Sequence, residues 1–522
     1  MIHRTLSGTI QGVTVYTVEV ETNCSDKEVE MGGPVFHVIG LPDAAIRESK
    51  ERIRSAIWAS GLQTPRGNVM VNLAPAAMRK AGALYDLPIA LCLIAFKGGL
   101  PAQALSDTMV VGELGLNGEV RGVVGALPLA MHAKELGLKR MIVPAENARE
   151  AAAVEGLAVY GVGTLAEAVR LCCHPDQFQP IQVNVRRLFE EAQRSGLDFV
   201  DVKGQESAKR ALVIAAAGNH NLLMVGSPGV GKSLIANRIP GILPPLALKE
   251  AMEVTRLYSI AGLLPKDGGL IVERPFRAPH HTVSDAGLLG GGKGIPHPGE
   301  ITLAHRGVLF LDELPEFRRN VLEALRQPLE NGEVTVARAS GAFVFPCRFM
   351  LVAAMNPCPC GYYGSPGKHC RCSSIQVQSY RSRISGPLLD RIDLHVEVPP
   401  LPKDTLTAKR SGPSSAQLRE QILAARAIQL RRFQGTGIWS NADIAGTALD
   451  RFCTLTDSAR KFLDLALNAK HLSARSYDRI LRVARTCADL NGHEQITDAE
   501  ISEACQYRVL DQELRPQGDP WG

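Results

Sequence analysis

Long apolar runs are missing from this chain. The longest, "LPIALCLIAF" from Leu87 to Phe96, is about half of the roughly 20 residues that a membrane helix needs. The opening residues "MIHRTLSGTI" lack the charged-then-apolar order of a secretory leader. Both absences point to the cytoplasm. Internal repeats and long low-complexity tracts are missing too. Charge of one sign is scarce: 58 Lys+Arg against 53 Asp+Glu leave a net +5. That is too slight to establish a polyanion partner, although a channel can concentrate it.

The 522 residues exceed what one hydrophobic core supports and suggest about three domains. Hydrophobic residues at 45% and charged residues at 21% are ordinary for a globular protein. Twelve cysteines in a reducing compartment argue against a disulfide framework. Most are scattered singly through apolar segments, where they read as small buried hydrophobes.

Three segments emerge. Residues 1–178 alternate strands and helices: "GVTVYTVEVET" has β-branched alternation, "AAIRESKERIRSAIWAS" is an amphipathic helix starting after Pro42-Asp43, and "MIVPAEN" and "AVYGVG" are short strands. The polar stretch "CCHPDQFQPIQVNVRR" reads as a linker. Residues 190–400 read as α/β with glycine-rich turns, and "PPLPKDTLTAKRSGPSSAQ" as a second connection. Within 401–522 the pattern from 418 on is helical only, with Gly492 where a helix C-terminal cap belongs.

The middle segment carries the chemistry. "NLLMVGSPGVGKSLIANRI" gives an apolar strand, then Gly226, Ser227, Pro228, Gly229, Val230, Gly231, Lys232 and Ser233, then a helix. This is the P-loop pattern in its strand–turn–helix setting. Glycines let backbone N–H groups curl round phosphates, and the helix presents its positive end to them. Lys232 is expected to reach the β- and γ-phosphates of ATP, and the Ser233 hydroxyl to ligate Mg²⁺. A glycine turn without a ligand does not need all of these positions.

About eighty residues on, "GVLFLDELPEF" is a buried strand ending in Asp312-Glu313. The carboxyl end of a strand is where an open α/β sheet places its site. Asp312 is expected to hold Mg²⁺ through water and Glu313 to polarise the attacking water. The bland alternative is a solvated carboxylate pair. A third strand, "FMLVAAMNPC", ends in Asn356, whose amide can orient that water, although Asn-Pro also opens turns.

Strand–P-loop, "LFLDE", strand–Asn, "SGPLLDRIDLHVEV" and a helical tail together resemble AAA+ ATPases of the magnesium-chelatase-like branch. Within that branch the likeness is greatest to the ComM family of competence proteins and spans essentially the full length. The resemblance implies a P-loop core with a helical lid, and a homo-hexameric ring driving branch migration with helicase character in recombination during natural transformation. It implies single-stranded and branched DNA as partners, with recombination proteins as further ones. ATP then sits between subunits, and a neighbour supplies an arginine finger. The family position matches Arg391 in "LLDRID", with Arg383 as second candidate, and the sensor arginine of the lid matches Arg475 in "LSARSYDRI".

The same branch inserts extra elements, and two stretches fit. "FRAPHHTVSDAGLLGGGKGIPHPGEITLAHRG" suits a mobile loop with Lys293 near its tip. "EVTVARASGAFVFP" reads as a β-hairpin turning at Ala339-Ser340-Gly341. Lys293 and Arg338 are candidate DNA phosphate contacts, with a solvated loop charge the competing reading of each.

The N-terminal stretches "NVMVNLAPAAMRKAGALYDLPIALCL" and "VVGELGLNGEVRGVVGALPLAMHAKELGLKRMIVPAEN" resemble the proteolytic domain of the Lon family (an α+β fold like domain 2 of ribosomal protein S5). The rival this raises is an ATP-dependent Ser-Lys protease. From Ala81 to Ala90 there is no serine, and the family's lysine position falls near Leu127. A lysine base needs a nucleophile in reach, so the fold is expected without peptidase chemistry. The other rival is a magnesium-chelatase motor subunit, which shares the core but not the Lon-like segment or the cysteines.

Those cysteines are in "CPCGYYGSPGKHCRC": Cys358, Cys360, Cys370 and Cys372. Four thiolates folded back on each other match the tetrahedral demand of structural Zn²⁺. A thiol cluster without metal is the other reading, and His369 can replace one ligand. Redox chemistry is disfavoured because no helix start obviously follows either pair. Lys368, Arg371, Tyr362 and Tyr363 add cations and aromatic faces suited to single-stranded DNA.

Overall fold

The computed structural model describes residues 2–25, 35–101, 103–192, 197–265, 269–292, 296–338, 341–365, 368–402, 404–405, 412–470 and 474–508. Lys293 and the turn residues Ala339 and Ser340 lie outside them, as does the side chain of Arg475.

The first segment builds a mixed seven-stranded sheet. In spatial order its strands are Phe36–Ile39, Val69–Ala74, Thr14–Cys24, Ile2–Gln11, Thr108–Val110, Arg140–Pro144 and Ala158–Val162. Ile2–Gln11 and Thr14–Cys24 form a long antiparallel hairpin. The expected amphipathic helix runs Ala44–Ala59, capped by the Asp43 side chain on the Ile46 N–H. The apolar run forms Asp86–Phe96, a helix buried nearly all round, as a uniformly apolar helix must be.

The stretch read as a linker is not wholly irregular. After a short turn at Pro175–Gln177 it forms the helix Val185–Ala192. Val185, Leu188 and Phe189, at i, i+3 and i+4, pack onto the core under the first sheet. Of these three only Val185 lies within the stretch read as a linker; Leu188 and Phe189 follow it. The same core takes in the Ala126–Glu135 helix and the Leu248–Ala261 helix of the middle segment. A buried bond from Ser259 Oγ to Glu150 Oε2 at 2.6 Å reinforces that junction.

The middle segment forms a five-stranded, all-parallel sheet. Its order is Phe276–Arg277, Val308–Leu311, Met350–Met355, Leu222–Val225, Leu394–Glu397. The P-loop strand and the acidic strand are therefore not neighbours; the strand leading to Asn356 runs between them. The inner strands are buried throughout, as a sheet covered on both faces requires. Glu333–Arg338 and Gly341–Pro346 pair as the expected hairpin.

Beyond residue 412 the described residues are helical: Ser415–Arg432, Thr447–Phe452, Asp457–Lys470, Ala474–Asn491 and Asp498–Gln506. Gly492, at φ +75°, follows the fourth of these as its cap. These helices share one core with the Glu206–Gly218 helix and one face of the parallel sheet. All twelve cysteines are free, and Cys92, Cys172, Cys347, Cys453, Cys487 and Cys505 are buried. Among the described residues no helix is long and apolar enough to cross a membrane.

Candidate active site

The Leu222–Val225 strand runs into Gly226–Gly231 and then the helix Lys232–Ala236. The helix is shorter than the sequence suggests, because Pro240 redirects the chain through a 3₁₀ turn at Ile239–Gly241. Gly229 and Gly231 take φ of +79° and +96°, a left-handed backbone that glycine adopts without penalty. At Gly226 a side chain would run into the carbonyl oxygen of Val398 on the neighbouring strand. Gln205, which the sequence reading passed over, braces the loop: its Nε2 donates to Pro399 O at 2.7 Å and Val230 O at 3.4 Å.

Lys232 is buried, and its ammonium turns back onto the loop. Nζ donates to Gly226 O at 2.6 Å, Ser227 O at 3.0 Å and Asn356 Oδ1 at 3.1 Å. Burial lowers its pKa, with Asp312 and Glu313 pulling the other way. Ser233 Oγ donates to Asp312 Oδ2 at 2.5 Å, so the two expected Mg²⁺ ligands already touch. Asp312 Oδ1 accepts the Glu313 N–H at 2.9 Å. Glu313 has φ +52° and a half-exposed side chain, and a non-glycine residue held there is the kind of local strain that gathers at functional sites. Lys232, Ser233, Asp312, Glu313 and Asn356 thus converge at the carboxyl ends of three adjacent strands.

The arginine candidates separate. Arg383 sits on the same side as this cluster, its Nη1 donating to Glu316 Oε2 at 3.0 Å and Pro315 O at 3.2 Å. Arg391 lies at the opposite end of the sheet, donating to Pro387 O and Glu330 Oε2, both at 2.7 Å. There it lines a cavity of about 630 Å³ with residues preceding all five strands, including Asn221, Arg274, Gly307, Arg348 and Asp393. Seven arginines and five carboxylates line it, an excess of positive charge. Arg479 and Arg482 reach it from the Ala474–Asn491 helix, which also carries Arg475. Burial, with Arg508 nearby, pulls the Arg479 guanidinium down to about 10.

The cysteine loop begins two residues after Asn356. Cys358 Sγ lies 3.4 Å from Cys360 and 3.7 Å from Cys370, and all four sulfurs fall within 4.8 Å of one another. Four sulfurs on one tetrahedral zinc at about 2.3 Å would be about 3.8 Å apart, so the set fits the ion. The backbone N–H groups of Arg371 and Tyr362 pull the Cys360 thiol down to about 6, whereas Cys370 is pushed up to about 12. The expectation that no helix start follows either pair is corrected: Ser373 caps a helix, Ser374–Arg381, immediately after Cys372. Gly361 packs on the P-loop, where an added Cβ would come within 2.5 Å of Pro228 Cδ. Lys368 stacks over the Tyr362 ring at 4.8 Å, and Arg381 over Tyr363 at 5.2 Å.

Arg338 is exposed at the hairpin end, and its Nη2 lies 2.9 Å from where a Cβ on Gly291 would be. The hairpin and the glycine-rich insertion therefore meet, two residues short of Lys293.

Family models for magnesium chelatase subunit ChlI match residues 25–147 and 198–406, and its C-terminal model matches 412–508. The competence protein ComM of Haemophilus influenzae is 43% identical over 505 residues, covering 96% of each chain. The chain belongs to the ComM and magnesium-chelatase-like AAA+ family. An uncharacterized protein YifB of Escherichia coli is 39% identical over 507 residues, again covering 96% of each. The magnesium-chelatase 38 kDa subunit of Cereibacter sphaeroides is 26% identical over 262 residues, 44% of this chain and 72% of its own. The likeness to ComM thus spans nearly the whole chain, more than twice the share matched by the chelatase subunit.

Proposed function

We propose that this chain is a Mg²⁺-dependent ATPase motor that assembles as a hexameric ring in the cytoplasm, moves on DNA, and promotes branch migration with helicase character in recombination during natural transformation. The observation that carries the ATPase reading is the convergence of Lys232, Ser233, Asp312, Glu313 and Asn356 at one end of the parallel sheet. The name and near-full-length coverage of the ComM relative carry the reading to competence, and DNA as the partner follows from the resemblance to that family.

Backbone N–H groups of Gly226–Gly231 cradle the phosphates. Lys232 exchanges its carbonyl partners for phosphate oxygens, so binding costs it little desolvation. Ser233 and Asp312 would hold Mg²⁺, which when bound neutralises charge on the β- and γ-oxygens. Glu313 accepts the proton of the attacking water, and the Asn356 amide orients that water. Arg391 is the finger in preference to Arg383: it sits at the far end of the sheet, where a head-to-tail neighbour would present its nucleotide. Arg475 is the lid's sensor arginine, and the C-terminal helices form that lid. Hydrolysis shifts the channel hairpins, with Arg338 and Lys293 gripping DNA phosphates.

The first sheet is proposed as a Lon-like fold without peptidase chemistry. Leu127, at the family's lysine position, is buried in an apolar core, and ATP-dependent cleavage of casein by clean protein would contradict this.

Cys358, Cys360, Cys370 and Cys372 would hold Zn²⁺ as a structural ion. Protein purified without chelators should carry one zinc per chain, and zinc-free protein would overturn the assignment. Alanine at both Lys368 and Arg371 is expected to weaken DNA binding and to lower the salt slope by about two. An unchanged slope would leave the loop a purely structural role.

A synthetic Holliday junction decides the main reading. Strand exchange should require ATP, and ATP hydrolysis should rise with single-stranded or branched DNA. Stimulation by a chelatase partner instead of DNA would favour the magnesium-chelatase alternative.

A further inference from the structure

We propose that the four-cysteine loop is a metal-dependent strut of the phosphate loop: Gly361 is a positioning residue that braces Pro228, so that zinc on Cys358, Cys360, Cys370 and Cys372 sets the affinity for ATP. The inference rests on the ATPase and zinc readings above and joins the two sites.

The two loops leave the sheet side by side. Val225 and Met355 pair in register, and the Gly226 N–H donates to Met355 O at 3.2 Å. One strand runs on into the phosphate loop. The other reaches Asn356 and, two residues later, Cys358. Gly361 closes a turn onto that first cysteine, its N–H donating to Cys358 O at 3.0 Å, and takes φ +83°. A Cβ added there would lie 2.5 Å from Pro228 Cδ and 2.6 Å from Pro228 Cγ, so the glycine backbone packs directly on the proline ring. The residue that touches the phosphate loop is thus inside the metal-binding turn, one position after Cys360.

Neither side of this contact belongs to an apolar core. From Pro359 to Gln376, Gly361 is the only buried residue among those described. With so little burial the loop is ordered by its four sulfurs, assisted by Arg381 Nε on Pro357 O at 3.2 Å. A site of this kind loses its order with its metal. On the other side, Pro228 and Gly229 are exposed. Gly229 and Gly231, at φ +79° and +96°, are the pliant joints of the phosphate loop. Pro228 has a fixed φ and no N–H to offer a phosphate, so bracing its ring shapes the loop and takes no donor from the ligand. Holding it removes freedom that ATP would otherwise have to freeze, which is how a pre-ordered loop gains affinity. The catalytic groups are supported elsewhere. Asn356 follows a buried strand and its backbone bonds to the Tyr380 side chain, and Asp312 and Glu313 follow a different strand.

The test is the Kd of full-length protein for a non-hydrolysable ATP analogue, read beside zinc content and melting temperature. Protein stripped by a chelator, then freed of it and returned to Mg²⁺, should bind the analogue about five- to thirtyfold more weakly, the cost of ordering one loop residue. Added zinc should restore the affinity. The KM for ATP should rise in step, while kcat at saturating ATP stays at the wild-type value. Gly361→Ala, which keeps every sulfur, should retain its zinc and lose affinity to the same degree; it decides the matter if stripped protein does not stay folded. Pro228→Ala, which removes the ring, should make the Kd insensitive to zinc. Wild-type affinity in folded, zinc-free protein overturns the proposal, and so does an undiminished zinc effect in Pro228→Ala. If the protein takes up no zinc, the metal reading falls and the proposal with it, while the ATPase reading stands. If zinc-loaded wild type binds no analogue, the ATPase reading falls and takes the proposal with it, while the metal reading stands.

Discussion

Lys232→Ala is expected to lose measurable ATP binding while keeping its fold. The ammonium is buried and makes contacts to Gly226 O, Ser227 O and Asn356 Oδ1. With ATP present the same donors are expected to face phosphate oxygens. Truncating one member of such a buried charge pair costs about 2–5 kcal/mol, or roughly thirty- to several-thousand-fold in Kd. Gly226 and Ser227 are buried, so the acceptors left without their donor should cost about 1–3 kcal/mol of stability, which a melting curve of the variant separates from the loss of ATP binding. Titration with a fluorescent ATP analogue measures the loss. Wild-type affinity in Lys232→Ala would remove the lysine from the phosphate site.

The second large effect is Glu313→Gln. An amide of the same shape keeps the backbone turn at φ +52° and the Asp312 contact to the Glu313 N–H, but it cannot accept a proton. Hydrolysis should fall about 10²- to 10⁴-fold, the usual contribution of a positioned base. ATP affinity should stay close to wild type, because the carboxylate touches none of the groups that cradle phosphate. Bound but uncleaved ATP should hold the ring on DNA, visible as a slow off-rate in the presence of ATP. Hydrolysis at the wild-type rate would remove Glu313 from the role of base and point to another residue.

The nucleotide cluster was legible in the sequence because each part is local. A P-loop announces itself by spacing along eight residues, and Asp312-Glu313 and Asn356 each end an apolar run that can only be a buried strand. The hairpin at 333–346 and the cap at Gly492 were legible for the same reason. What escaped depends on tertiary placement. Gly361 meets Pro228 only because the strands leading to them pair side by side, and nothing in "CPCGYYG" encodes that register. Gln205 reaches Val230 and Pro399 across the sheet end. The helix after Cys372 begins with a capping box on Ser373 and Gln376, a signal present in "SSIQ" but masked by the glycine-rich loop before it. Arg383 and Arg391, eight residues apart in sequence, lie at opposite ends of the sheet, and the crossover between them could be read only from the fold.

The first sheet and the 333–346 hairpin also touch. Gly12, at the turn between the first two strands, packs on Phe343, where an added Cβ would come within 3.2 Å of the ring. The adjacent Val13 carbonyl accepts from Arg256. Mechanically, the 333–346 hairpin is thus a cantilever with a prop beneath it, the prop being the tip of a ten-residue antiparallel ribbon rooted in a separate seven-stranded slab. Stiffness at the hairpin is set partly outside the ATPase sheet, and any swing of the hairpin must either carry that slab with it or slide Phe343 off the glycine.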